Sequence, residues 1–356
     1  MINVDISNIW GGLSLQDLLG IEQALFAAHA SLGEAQDETL SGKACSPIQD
    51  LGNTIREDSH ICVITGTGQD FLAARALIGL LADSDAAGPR ILFSPETIPA
   101  RSRNALKAQL EGKEVSVIAF GGPVTEESGL VPRELKWMLE RRYGTDECAR
   151  RFHTPSSAAG GVMLAMAAAG IDVDSFARGA ESAWEAFDLR SFENPVWLYT
   201  AVRCLMARSG KTVELLSLWE PDCGNLGRWW QQCFPAGEDG LFTVPLECPA
   251  DLPATEHGPA PLHKPCFETM VRFISEPQSP DMSDGVSGLP CPDKLLEQSW
   301  WNALERHADR GIPIVTMECG APDAHTMGWL YAFLELSGAL SRRMPRQDQP
   351  AQEAGA

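Results

Sequence analysis

The chain has 356 residues, of which 44% are hydrophobic and 21% charged, enough apolar material for two α/β domains or one large unit in two halves. A formal net charge of -20 works against nucleic acid and anionic membrane surfaces, and no run approaches the roughly 20 apolar residues of a membrane span. The first residues lack the basic start and apolar run of a secretory signal, and the ten cysteines form no CxxC pair, so the expectation is a cytoplasmic protein with reduced thiols and neither metal nor cofactor.

In chain order, residues 1–57 read as a mainly helical segment with Leu18, Ile21, Leu25 and Ala28 on one face, packing over a first sheet. Short apolar strands then alternate with helices: strands at 61–65, 90–94 and 115–120, helices at 71–81, 100–110 and about 126–143. That alternation gives a parallel sheet covered on both faces. The Ala- and Met-rich stretch 158–169 is a buried helix, followed by helices at 172–187 and 195–208, the latter capped by Asn194 with Pro195 at its first position. A second series places strands at 212–219, 267–274 and 312–317 and helices at 224–234, 292–308 and 324–342. Segments 236–265 and 276–292 read as Pro- and Gly-rich loops, and 346–356 as a frayed tail. The domains are thus 1–57 as an N-terminal helical segment, 58–190 as a first α/β domain and 191–345 as a second.

Gly66-Thr67-Gly68, between a strand and a helix, is a tight turn that exposes backbone N–H groups at a helix start and can receive an anion. Alone it is a weak signal. Asp70, just beyond, either meets a ligand there or caps the helix through its first-turn amides. Cys248, His257, His263 and Cys266 lie close in sequence, but their spacing fits no usual zinc pattern.

The stretch Ile61–Arg75 (ICVITGTGQDFLAAR) resembles the first sugar-phosphate motif of phosphoglucose isomerases, written in bacterial members roughly as VVIGIGGSYLGAR. Asn194-Pro195 through Arg203, Gly210–Glu214 (GKTVE), Trp229–Gln232 (WWQQ) and Phe267–Thr269 (FET) continue that resemblance in the family's order, over most of the chain from about Pro47. It implies two sugar-isomerase-type (SIS) domains, a sugar or sugar-phosphate ligand and a homodimer. It also implies substrate contacts at Gly66, Gly68, Asp70, Gly121, Gly122, Thr125 and Gln232.

The reactive positions depart from the family pattern. Where the family has SKSGTTTE around the substrate phosphate, this chain has Ala119–Glu126 (AFGGPVTE), with only Gly122, Thr125 and Glu126 matching. Phe152–Ser156 (FHTPS) stands in place of GGRFS, with Thr154 at the arginine that stabilises the enediolate. Phe234–Gly240 (FPAGEDG) stands in place of the FGESEGK segment that carries the base, leaving Glu238 as a substitute carboxylate or a solvated turn. His257 matches the TDLHS histidine linked to ring opening, with His263 as the other possibility. The expectation is a degenerate paralogue that has lost isomerase activity and keeps the fold for sugar or partner binding. The alternative is an active aldose–ketose isomerase that uses His257 and Glu238, on glucose 6-phosphate or on a less anionic sugar.

Overall fold

The computed structural model of the chain describes residues 2–9, 13–32, 42–83, 87–220, 223–235, 240–248, 265–274 and 292–345. Its elements begin with β1 (Ile2–Asp5), α1 (Leu15–Leu32), α2 (Gly42–Asp58), β2 (Ile61–Gly66), α3 (Gly68–Leu81), β3 (Arg90–Pro95) and α4 (Ala100–Leu110). Next come β4 (Val115–Ala119), α5 (Leu130–Tyr143), α6 (Thr145–Arg151), β5 (Phe152–His153), α7 (Ala158–Ala168) and α8 (Val173–Phe187). The chain continues through α9 (Pro195–Arg208), β6 (Val213–Leu218), α10 (Gly224–Cys233), β7 (Phe242–Glu247) and β8 (Cys266–Phe273). It closes with α11 (Pro292–Asp309), β9 (Ile314–Cys319) and α12 (Ala324–Arg343). Two compact units result, one continuous (Gln36–Glu181) and one assembled from Met1–Ala35 and Ser182–Ala356.

The continuous unit holds a four-stranded, wholly parallel sheet in the order β3-β2-β4-β5. One face buries Ile61, Val63, Val115 and Val117 against Leu110 of α4 and Val131, Leu135 and Leu139 of α5. On the other side α7 packs against α2 and α3. Nearly every α7 side chain is buried, so the helix is apolar all round, as its Ala- and Met-rich sequence requires. Gly52 lets α2 approach it: a Cβ there would lie 2.3 Å from the Ala167 Cβ.

The discontinuous unit has a five-stranded sheet in the order β1-β9-β8-β6-β7, parallel except for the antiparallel edge strand β1. Asn194 caps α9 as expected: its Oδ1 accepts from Val196 N at 2.9 Å and Trp197 N at 3.4 Å. Its amide nitrogen donates to the carbonyls of Phe187 and Leu189, both at 2.9 Å.

Three expectations need correction. Helix α1 packs on α9 and α12 instead of over the first sheet, and β1 ladders onto β9, so residues 1–57 are divided between the two units. Trp197 Nε1 fixes that docking by donating to Nδ1 of the buried His29 at 2.8 Å, and burial holds the His29 pKa low, so the ring is a neutral acceptor. The expected loop 236–265 contains strand β7, whose Pro245 is tolerated because β7 lies at the sheet edge. The short α6 and β5 also emerge before α7.

Candidate functional site at the carboxyl ends of the first sheet

In the continuous unit the chain runs from β2 out to β3, then returns to the other side of β2 to form β4. The direction of winding therefore reverses between β2 and β4, and ligands of open parallel sheets bind outside the strand carboxyl ends at such a point. Gly66, Gly68, Gly121 and Gly122 all lie there, in the two turns that follow β2 and β4. Gly121 and Gly122 have φ of 100° and 85°, conformations that favour glycine in both positions.

The first side chain after β4 packs inward, against Gly66 and helix α7. Phe120 is buried, and its backbone N–H donates to Thr65 O at 2.9 Å. A Cβ on Gly66 would lie 2.7 Å from Phe120 Cβ, and a Cβ on Gly161 of α7 would lie 2.8 Å from its ring. Gly66 thus leaves room for the Phe120 Cβ and Gly161 for its ring.

At this end of the sheet the polar groups are acidic or inward-turned. Asp70 is half-buried in the first turn of α3, and burial pushes its carboxyl above its ordinary 3.8. It does not cap the helix: the N-cap is Thr67, which makes no side-chain cap bond. Glu96, just past β3, brings Oε1 to 3.3 Å from where a Cβ on Gly121 would stand. Thr125 N–H donates to Ser128 Oγ at 2.8 Å, and its hydroxyl accepts from Glu127 N at 3.3 Å, so this residue serves its own loop. Two further groups have no hydrogen-bond partner: Thr65 Oγ1 and His153 Nε2, both buried atoms. Burial lowers the His153 pKa, which keeps that ring neutral at physiological pH.

Glu96 and His153 escaped the sequence reading. Each sits at a strand's carboxyl end, which is the only signal that would have found them.

Gln232 lies in the discontinuous unit, exposed at the end of α10. Its neighbour Gln231 instead donates to Thr243 O at 2.9 Å. Glu238, His257 and His263 lie outside the described residues. Among the described residues no group of three or more His, Cys, Asp or Glu is placed to hold a metal, and the nine described cysteines are buried thiols. No helix among them is long and apolar enough to cross a membrane.

The shared landmarks of the second half converge on one buried network. Arg203 and Glu214, both fully buried, form an ion pair. Glu214 also accepts from the hydroxyls of Tyr199 at 2.7 Å, Thr243 at 2.8 Å and Thr269 at 2.7 Å. Trp230 Nε1 donates to the Tyr199 hydroxyl Oη at 2.9 Å, and the Arg203 guanidinium lies 4.1 Å from the Phe234 ring centroid. Burial, with the Glu214 charge adding to it, pushes the Tyr199 phenol well above its ordinary range, so it stays a donor. These landmarks build the core of the second unit.

No protein-family model matches the chain. A glucose-6-phosphate isomerase of Heliobacterium modesticaldum is 28% identical over an alignment covering 86% of this chain and 81% of that protein. One of Alkaliphilus metalliredigens is 26% identical, covering 86% and 80%. The chain is a divergent relative of the glucose-6-phosphate isomerases. Solved structures agree on the fold. A hypothetical protein of Thermus thermophilus superposes with a TM-score of 0.76 at 16% identity, covering 96% of this chain and 94% of that one. A glucose-6-phosphate isomerase of Chlamydia trachomatis gives 0.65 at 11% identity, covering 90% and 73%. The two parallel α/β units are therefore of sugar-isomerase type, as the resemblance implied.

Proposed function

We propose that this glucose-6-phosphate isomerase relative interconverts glucose and fructose 6-phosphates very weakly or not at all, and keeps the fold to bind a sugar or a protein partner. The observation that carries this reading is the buried Phe120, its Cβ against Gly66 and its ring against Gly161, where the family's phosphate loop has a lysine. Ala119, Pro123 and Val124 replace further hydroxyl positions of that loop, Glu96 adds a carboxylate beside Gly121, and Asp70 adds one in the first turn of α3. A carboxylate about 4 Å from a phosphate charge opposes it by ~4 kcal/mol at an effective dielectric of about 20. A single neutral hydrogen bond returns only ~1 kcal/mol, so the repulsion wins. Without the family's base and arginine, losses of ~10²–10⁴ and ~10²–10³ in rate are the expected scale for each.

A second reading has one observation in its favour. Asp70, half-buried in the first turn of α3, suits a neutral or aminated sugar better than a phosphorylated one. An isomerase acting on such a sugar would use His257 and Glu238.

The test is a coupled isomerase assay beside thermal stabilisation by phosphorylated, neutral and amino sugars, since a ligand well above its Kd raises Tm by mass action. The proposal expects no glucose 6-phosphate turnover above background. Turnover together with stabilisation by fructose 6-phosphate would overturn it. Turnover of a neutral or amino sugar that is lost in Glu238→Gln and His257→Ala would establish the second reading.

A further inference from the structure

A groove of about 800 Å³ runs between α4 and α5 of the continuous unit, on the side of the sheet away from α7. Leu106, Leu110, Val131, Leu135 and Met138 line it, and Trp137 stands at its mouth with 60% of its surface exposed. Arg103, Lys107 and Arg142 also line it. Across Trp137 lies a shallower recess of about 340 Å³ that includes Arg133 and Lys136.

Helices α4 and α5 carry seven basic side chains against two carboxylates, Glu134 and Glu140, in a chain whose formal net charge is -20, although Glu111, just past α4, also lines the groove. Glu134 is shared, at 3.6 Å from Arg103 and 3.2 Å from Lys107, so one anion serves two cations, while Arg142 lies 3.8 Å from Glu114. The Arg141 guanidinium lies over the Trp137 ring at 5.2 Å from its centroid.

We propose that this groove docks an acidic, amphipathic segment of a partner protein, with apolar side chains seated on Leu106, Leu135 and Met138 and carboxylates meeting Lys107, Arg103 and Arg142. A helix laid in an apolar groove anchors through residues at i, i+3, i+4 and i+7, and its flanking positions face the rim. Complementary rim charge then sets partner choice and orientation. A second copy of this chain is a poor occupant, because a twofold interface would set the same basic face against itself.

The experiment uses the full-length protein to select from a displayed library of helical peptides. Apolar residues are fixed at i, i+3, i+4 and i+7, and the other positions are drawn from Asp, Glu, Lys, Arg, Gln and Ser. Enriched peptides are expected to be net acidic, and their affinity is expected to fall about tenfold or more in Lys107→Glu and in Trp137→Ser. Both residues are largely exposed, so the variants should keep the wild-type Tm. Lys107→Arg should retain binding, and raised salt should weaken it. No enrichment, enriched peptides of neutral or basic charge, or equal binding by both variants would overturn the proposal. Equal co-sedimentation of wild type with phosphatidylglycerol vesicles, lost in Lys107→Glu, would overturn it in favour of a membrane.

Discussion

At the scale of single residues, two side chains stand out beside the crevice between β2 and β4. Phe120, the first residue after β4, is buried with its ring against Gly161 of α7, and Asp70, in the first turn of α3, carries a carboxylate whose pKa burial raises above 3.8. The second effect has a defined sign. The native state holds the Asp70 proton more tightly than the unfolded chain does, so stability falls as pH rises from 3.8 through the raised native value, and the full cost persists above it. Asp70→Asn is therefore expected to stabilise the protein at pH 7, an advantage that shrinks as the pH is lowered. Urea unfolding of both proteins across the acidic range measures this. An Asn variant less stable at pH 7 would mean that the helix dipole's attraction for the carboxylate outweighs the burial, an effect of ~0.3–1 kcal/mol in the opposite direction.

At the scale of elements, the parallel strands were legible because strands buried on both faces are continuous apolar runs, and each is followed by a helix with its own period. The strands β2, β4, β6 and β9 are buried along nearly their whole length and lie in or overlap such runs, whereas β3 is a partly buried edge strand and β8 carries Glu268 and Thr269 among its buried residues. The ones that escaped are short or at an edge: β5 has two residues, β1 has four, and β7 contains Pro245. The glycine turns of the site were legible as motifs, but the position of the Phe120 ring was not, because it depends on Gly161 of the distant helix α7 leaving room for it. Landmarks such as Glu214 and Thr269 looked like family signatures and proved to be one hydrogen-bonded core. That core makes its own prediction. Arg203→Met leaves Glu214 as a buried charge without its cation, which should cost ~3–5 kcal/mol. Thr243→Val, which removes one neutral donor to the same carboxylate, should cost only ~1–3 kcal/mol. Chemical denaturation of the two variants ranks them, and an equal or reversed order would show that the hydroxyls, not the guanidinium, neutralise Glu214.

At the scale of the whole molecule, the two units differ in how they depend on the chain's continuity. The unit Gln36–Glu181 is uninterrupted and owns a four-stranded sheet, with α4, α5 and α6 packed on one face and α2, α3 and α7 in the same unit. Expressed as a fragment extended to Phe187, which keeps α8 whole, it is expected to unfold cooperatively on its own. The other unit draws β1 and α1 from the first 35 residues. Without them the Ser182–Ala356 fragment would bare the β9 edge, whose backbone partners run from Ile2 to Asp5, and the surfaces of α9 and α12 that α1 covers. A long unpaired edge beside uncovered apolar helices is an aggregation surface, so that fragment should be insoluble or oligomeric. Co-expression of residues 1–35 with it should restore a soluble species of discrete size, because the peptide carries the missing strand and the helix that places His29 under Trp197. Size-exclusion chromatography of the fragment with and without the peptide decides the matter. A soluble, cooperatively folded Ser182–Ala356 fragment would mean that the parallel sheet and α12 suffice, and that β1 and α1 are additions to a unit already stable without them.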